Sequence, residues 1–532
     1  MNAFGGNAVG MWNSFPKTKR TVLLTLICIS SFSGLNAEED LFSRIRTSLE
    51  ARVKKVVLKN GIRLLLMKRE GSPTVAVYTK FLVGSVDETP EIAGTAHLLE
   101  HMLFKGTKNI GTNNYEKEKI YLEQIRVWGK RLDSYRIKER EYIRNKEAIP
   151  EDFIKEKAVL ETRFRNLLEF HRRFVVSNED SYIYDKNGGT GFNAYTTDDV
   201  TNYQILLPSN RLEIWAKLES DRLKNPILRE YYTERDVVLE ERRMRVDNQG
   251  LGILREKFLG AAFEKHPYRM PVIGYESNLP FLDIDKTEDF FRRNYRPGNM
   301  AIAIVGDLDF TSAEALVRKY FEDIPDGSPA QPILQKETYD HDTRRVSVRH
   351  SSGPMKVMGW LTPAPPHVDR PVLDLIDAIL TQGETGRLYK RLVLREKLAQ
   401  KVSCWTGEPG ERYDSLFAIY VTNVRGADPD KIETSILEEI ETLKNESVSD
   451  EELLKIKNQI VGDYIRGLNS NGKLADVLTY YELLAGNWAA IFDDYSQLDR
   501  VSSEDIRRVA KKYFVPRNLT VGDLITSEGE QK

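Results

Sequence analysis

Apolar residues recur at every second position, or in short unbroken runs, at several places along this chain. Lys55-Val-Val-Leu58, Ile62-Arg-Leu-Leu-Leu66 and Val75-Ala-Val-Tyr-Thr-Lys-Phe-Leu-Val83 carry this pattern and predict strands. Asn60-Gly61 separates the first two and is a hairpin-turn signal. Strand character returns in Val346-Ser-Val-Arg-His350 and Val357-Met-Gly-Trp-Leu361. Elsewhere the period is helical. Ala96, Leu98, Leu99, Met102, Leu103 and Phe104 predict a mostly buried helix closed by Gly106. Thr233 to Met244 also reads as a helix, with Val237, Val238 and Met244 on the face that carries Glu234 and Glu241, seven residues apart.

Between these two helices the character changes. From about Thr112 to Val176 the chain is dense in Lys, Glu and Arg, with apolar residues at helical spacing from Tyr115 to Tyr135 and again from Phe153 to Phe174. Ala148-Ile-Pro-Glu-Asp152 supplies a turn and a helix start, so the segment predicts a coiled-coil-like helical hairpin joined at Pro150. A solvated spacer and an arm that binds a partner or drives oligomerisation both fit this pattern.

Tyr295-Arg-Pro-Gly-Asn-Met-Ala-Ile-Ala-Ile-Val-Gly-Asp307 has an echo in Phe514-Val-Pro-Arg-Asn-Leu-Thr-Val-Gly-Asp523. Each copy follows a charged amphipathic helix, turns at a proline and an asparagine, enters an apolar strand and stops at Gly-Asp. A duplicated unit of roughly 200 residues follows. The halves are expected at 46–325 and 346–532, with a proline-containing polar connection over 326–345. Strands grouped with amphipathic helices predict an α+β fold of two homologous halves, each a mainly antiparallel sheet covered by helices.

The N-terminus changes where the chain is expected to work. Lys17, Lys19 and Arg20 precede the apolar run Thr21 to Phe32, and Ala37 precedes Glu38-Glu39-Asp40, the pattern of a cleaved secretory signal over 1–37. Export, to a periplasm, is the expectation, with a membrane anchor as the alternative; the apolar run falls short of the ~20 residues a span needs. Cys28 lacks the small residues that precede a lipidated cysteine, and processing would leave Cys404 as the sole cysteine, so no intrachain disulfide forms. A net charge of −2 gives no reason to expect nucleic acid or an anionic membrane as a partner.

Within the first buried helix stands His97-Leu-Leu-Glu-His101. Histidines at i and i+4 converge on one ion, and Glu100 at i+3 lies beside them, placed as a general base. Burying two imidazoles and a carboxylate without partners is costly, which favours a metal site over incidental surface histidines. A catalytic zinc takes three protein ligands, and among only seven histidines no other pair has ligand spacing, so a carboxylate is the expected third donor.

The run Gly94-Thr-Ala-His-Leu-Leu-Glu-His-Met-Leu-Phe-Lys-Gly-Thr107 resembles the signature of the pitrilysin or insulinase family of zinc peptidases, nearest in style to the mitochondrial processing peptidase and its bacterial relatives. The resemblance spans both halves and implies a clamshell around a peptide chamber, one Zn2+ per chain, and a zinc-activated water as nucleophile. Carried over, the distal ligand falls on Glu241 and an auxiliary acid on Glu234. The separation of His101 from Glu241 is longer than is usual in the family, and the hairpin accounts for the excess. Gly188 to Tyr203 resembles the family's edge strand for substrate, with Asn193 and Ala194 as substrate contacts. In the second half Arg395 matches an arginine that steadies substrate, but Val402 stands where a tyrosine is expected, and this half has no HxxEH.

The function expected is an exported zinc endopeptidase acting on extended peptides or unfolded proteins. The alternative is an inactive, regulatory or scaffold member acting as a partner subunit. Pairing as a homodimer or with a related chain is the assembly that either reading allows.

Overall fold

The computed structural model of the protein describes residues 46–327, 335–338 and 341–527. The signal segment 1–37 and part of the connection 326–345 lie outside the described residues.

Six strands, β1 (Val53–Val57), β2 (Arg63–Lys68), β3 (Thr74–Phe81), β4 (Thr190–Thr196), β5 (Thr201–Pro208) and β6 (Met300–Gly306), form one sheet. Five more, β7 (Arg344–His350), β8 (Met355–Thr362), β9 (Ala399–Glu408), β10 (Ser415–Asn423) and β11 (Leu519–Thr526), form another. The spatial orders are β1-β2-β6-β3-β5-β4 and β7-β11-β8-β10-β9. Without β1 the two are the same topology, strand for strand. Each sheet has one parallel pair, β2 with β6 and β7 with β11, and is otherwise antiparallel. The α+β fold of two homologous halves is the one the sequence predicts.

The sequence echo marks the strand that enters the middle of each sheet. β6 lies between β2 and β3 and is buried throughout, and β11 lies between β7 and β8. A strand covered on both faces reads as an unbroken apolar run. The asparagine before each is buried because its amide ties the turn down: Asn518 Nδ2 donates to the carbonyls of Leu361 and Tyr513. One expectation needs correction. The second copy does not stop at Gly522-Asp523, since pairing with β7 carries β11 on to Thr526. The hairpin expected at Asn60-Gly61 forms, with β1 antiparallel to β2. The register pairs Val57 with Arg63 across a five-residue connection, and the Asn60 amide donates to the carbonyls of Phe321 and Ile324. Gly61 takes φ +96°, open to glycine at little cost.

The named helices are α1 (Thr95–Leu103), α2 (Tyr115–Asn145), α3 (Glu151–His171), α4 (Tyr231–Arg242), α5 (Gly250–Ala262), α6 (Arg370–Thr381) and α7 (Asn471–Leu484). Two of them cross over. Leu254, Phe258, Leu259 and Ala262 of α5 pack on Val348, Val357, Leu361 and Leu524 of the second sheet. Leu474, Ala475 and Leu478 of α7 pack on Met67, Ala76, Tyr78, Ala303 and Val305 of the first. The seat of α5 on the second sheet needs Gly359, because a Cβ there would stand 2.7 Å from Cζ of Phe258. Burying each large apolar side chain contributes roughly 1.5–3 kcal/mol. Since each half covers a face of the other's sheet, separating them uncovers both.

Asp369, 1% exposed before α6, receives Arg508 Nη1 at 2.6 Å, Lys512 Nζ at 2.8 Å and the Tyr513 hydroxyl at 2.8 Å. Burial works to raise its carboxyl, but these three partners override it and hold it down at about 2. A depressed carboxyl stabilises the fold above its ordinary value near 4, and that contribution is lost as pH falls from about 4 to about 2. Asp369→Asn is therefore expected to cost about 1–2 kcal/mol at neutral pH and to flatten the acid limb of stability measured by urea titration. An unchanged acid limb would count against this ion cluster.

Helices α2 and α3 form the long hairpin. Its base is closed by a bridge between Thr112 and Val175, and the amide of Val176 donates to the carbonyl of Gly111. Stacked rings, Tyr135 on Phe153 and Tyr121 on Phe174, join its two arms. Among the described residues no helix is long and apolar enough to cross a membrane.

Candidate metal centre

Helix α1 is buried along almost its whole length. Gly94 enters it at φ +98°, and the buried Glu88 carboxylate accepts the amides of Gly94 at 2.8 Å and Ala96 at 2.6 Å. An acid at the first turn satisfies amides that lack helical partners and complements the helix dipole. Burial nevertheless pushes Glu88 well above the usual carboxylate range.

The helix then presents His97 and His101 one turn apart, with ring centroids separated by 4.8 Å. Facing them is Glu241 on α4. Its Oε2 lies 3.4 Å from Nε2 of His101 and 3.8 Å from Nε2 of His97, while Oε1 is held by Arg245 Nη1 at 2.8 Å. One donor atom from each of the three residues lies within 4.8 Å of the others. Four ligands at ~2.1 Å around a tetrahedral ion stand ~3.4 Å apart, so this spacing suits a divalent metal. His97 adds a second sign of fit. It is 8% exposed, its buried Nδ1 has no hydrogen-bond partner among the described residues, and its Nε2 lies 3.8 Å from Glu241 Oε2, beyond hydrogen-bond reach. Two neutral nitrogens and one carboxylate oxygen are a zinc donor set.

Charge around the site is ordered by α4. Glu234 Oε1 meets His101 Nδ1 at 2.9 Å, on the ring nitrogen turned away from Glu241, and its other oxygen takes Lys105 Nζ at 2.6 Å. Burial lowers His97 to about 4, with the neighbouring His101 adding to the effect. Burial also works to lower His101, but Glu234 and Glu241 override it and, in the metal-free chain, hold the ring protonated at about 9; an ion at Nε2 would displace that proton. In the same way burial would raise Glu241, and the His101 contact with the charge of both histidines brings it down to about 2.

Glu100 lies between the histidines on α1. Burial raises its carboxyl, opposed by the Thr196 hydroxyl, which donates to Oε2 at 2.6 Å. Thr196 is the last residue of β4, the edge strand that also carries Asn193 and Ala194. Asn193 is exposed and Ala194 nearly buried, opposite Tyr203 on β5. Phe192 of the same strand packs edge-on against Phe104 just past α1, which sets β4 beside the histidines.

His97, Glu100, His101, Glu234 and Glu241 thus come together, with β4 alongside. Arg395 does not join them by any contact. It ends the turn Tyr389–Arg395, exposed, and among the described residues it makes no hydrogen bond or ion pair with the histidines or Glu241. Val402 is buried in β9 within the second core. The expected apolar stripe on α4 is also wrong in part: Val238 is buried, but Val237 and Met244 are exposed. The helix gives way to a π turn over Arg243–Asp247, so Met244 leaves the 3.6-residue period. Sequence reasoning missed Thr196, Lys105, Arg245 and Glu88. Only Arg245, four residues after Glu241, carried a periodic signal.

Residues 63–125, which include α1, match the family described as Insulinase (Peptidase family M16), and residues 282–460 match the Peptidase M16 inactive domain. The chain carries the domains of the insulinase family. Relatives of the chain include a protein named zinc protease PqqE from Helicobacter pylori, 25% identical over 468 residues, covering 87% of this chain and 90% of the relative. Another is a mitochondrial-processing peptidase subunit beta from Lentinula edodes, 22% identical, covering 87% of this chain and 88% of that one. Among solved structures, a Helicobacter pylori protease superposes with a TM-score of 0.72 at 24% identity, covering 89% of this chain and 99% of that one. The half that carries the histidine helix and the half that holds most of the inactive-domain match share one topology apart from β1, and HxxEH stands in the first alone.

Proposed function

We infer that this insulinase-family chain is an exported zinc endopeptidase that cuts extended peptides or unfolded polypeptide within a chamber between its halves. The observation that carries the reading is the meeting of His97 and His101 from α1 with Glu241 from α4, with Glu100 beside them. A zinc ion held by those three residues would supply the Lewis acidity that polarises a peptide carbonyl and acidifies water.

The chain's own groups do the rest. Glu100 accepts the proton of the attacking water on its carboxylate and returns it to the leaving nitrogen. Thr196 fixes that carboxylate through Oε2. Glu234 holds the His101 ring through Nδ1, so that Nε2 faces Glu241; this is the role of an outer carboxylate on a ligand histidine. An extended peptide adds to the free edge of β4, pairing with the backbone at Ala194, with the Asn193 amide turned to the bond being cut. Strand addition requires an unfolded segment, which sets the substrate class. Arg395 enters only as an exposed cation open to substrate. The basic, apolar and small-residue order of the N-terminus supports export to a periplasm.

A second reading, in which the chain completes the site of a related subunit, is favoured by Val402. A buried valine offers no hydroxyl at the place where the family resemblance calls for a tyrosine. Purified chain assayed alone for metal content and for chelator-sensitive cleavage of an unstructured peptide decides between them. Metal with cleavage supports the enzyme; metal with cleavage only after a partner is added supports the second reading; no metal sinks both.

A further inference from the structure

The hairpin does not stand off from the body; it lies along α4. Gly129 of α2 faces the ring of Tyr232 so closely that a Cβ would stand 2.1 Å from Cζ. Phe164 of α3 meets the same ring edge-on at 5.3 Å, and the Tyr232 hydroxyl donates to the carbonyl of Arg126 at 3.3 Å. Beside it Arg235, 1% exposed, makes a two-pronged pair with Asp133 of α2 at 2.7 and 2.9 Å and donates to the carbonyl of Leu282. Tyr232 and Arg235 therefore face the hairpin while Glu234 and Glu241, seven residues apart, face α1.

The root of the hairpin is fastened to the same unit. Glu118, in the first turn of α2, is fully buried and receives Arg229 Nε at 2.7 Å and Nη2 at 3.1 Å, with His171 Nε2, from the end of α3, at 2.9 Å. The remaining N–H groups of Arg229 donate to the carbonyls of Lys105, Thr107 and Ile110, the loop that leaves α1. One buried guanidinium thus joins both arms of the hairpin, the exit of the histidine helix and the approach to α4. Breaking such a pair leaves an uncompensated charge, so its geometry is strongly held.

We propose that the hairpin is the positioning element of the metal centre, with Asp133 and Arg235 on the outer face of α4 and Glu118, Arg229 and His171 at the root fixing where Glu241 meets His97 and His101. Metal donors need placement within ~0.5 Å, and at Tyr232 and Arg235 the face of α4 opposite its ligand face is braced by the hairpin, with the Leu282 carbonyl beside it. The proposal rests on the reading that these three residues hold an ion.

The test uses the full chain with Asp133→Asn, which keeps size and one acceptor but removes the charge. Affinity for cobalt, by competition with a chromophoric chelator, is expected to fall severalfold, up to the roughly 10-fold lower end of what loss of a direct outer partner costs. The visible bands of bound cobalt, which report ligand geometry, are expected to shift, while the metal-free variant keeps native circular dichroism. Asp133→Glu, restoring the charge, is expected to recover part of the affinity. A folded Asp133→Asn chain with the parent's affinity and bands overturns the proposal. Should that variant fail to fold, Phe164→Leu is read in the same way, and unchanged bands there overturn it equally. A parent chain that takes up no cobalt sinks the metal reading itself; a parent that binds with variants that do not differ sinks only the role of the hairpin.

Discussion

Glu100→Gln is expected to lower the turnover of an unstructured peptide roughly 10²–10⁴-fold, the usual contribution of a positioned general base, with metal content and KM near those of the parent. Glutamine keeps the shape of the side chain and an oxygen that can accept from the Thr196 hydroxyl, so the link from α1 to β4 survives the change. What it cannot do is take a proton from water. Metal content should hold because the donor set is His97, His101 and Glu241, and Glu100 is not part of it. Stopped turnover with the metal retained is the expected pair of results. A variant as active as the parent would remove Glu100 from the chemistry, and one that lost its metal would make Glu100 a ligand instead.

The second large effect is on metal binding itself, and it separates Glu241 from Glu234. Glu241→Ala removes one of three donors, so zinc affinity is expected to fall by more than the roughly 10–100-fold that an outer partner costs. Glu234→Gln leaves all three donors in place and disturbs only the ring of His101 and Lys105, so its loss is expected to stay within that range. Neither change strands a buried cation. Arg245, the partner of Glu241, is more than half exposed, and Lys105 keeps Glu230 within 3.7 Å. Competition with a chelator of known affinity measures both. If Glu234→Gln proved the more damaging, the assignment of ligand and supporting acid would have to be exchanged.

The parts of this site that were legible in the sequence are those set by local periodicity. His97, Glu100 and His101 sit on one helical face because of their spacing alone, and the pairing of Glu234 with Glu241 follows from a seven-residue interval. The choice between those two acids needed the family resemblance, since periodicity treats them alike. Long-range packing was not legible. Nothing in the charged run from Thr112 to Val176 distinguishes a free arm from one whose Asp133 and Glu118 reach buried arginines more than 100 residues away. The crossing of α5 and α7 between the sheets escaped for the same reason: each helix shows an apolar face, and no pattern names the sheet that covers it. Thr196 was hidden by its strand, where a hydroxyl side chain is unremarkable until α1 is laid beside it. The stripe on α4 failed at Met244 because a π turn broke the period from which it was inferred.

On this reading two imidazoles from one helix and a carboxylate from another hold a single divalent ion. Crystals of the full chain grown with zinc, with diffraction recorded on both sides of the zinc absorption edge, test it most directly. One anomalous peak per chain is expected, ~2.0–2.2 Å from Nε2 of His97, Nε2 of His101 and a carboxylate oxygen of Glu241. A peak bound elsewhere, or an ion held by the histidines while Glu241 points away, would contradict it.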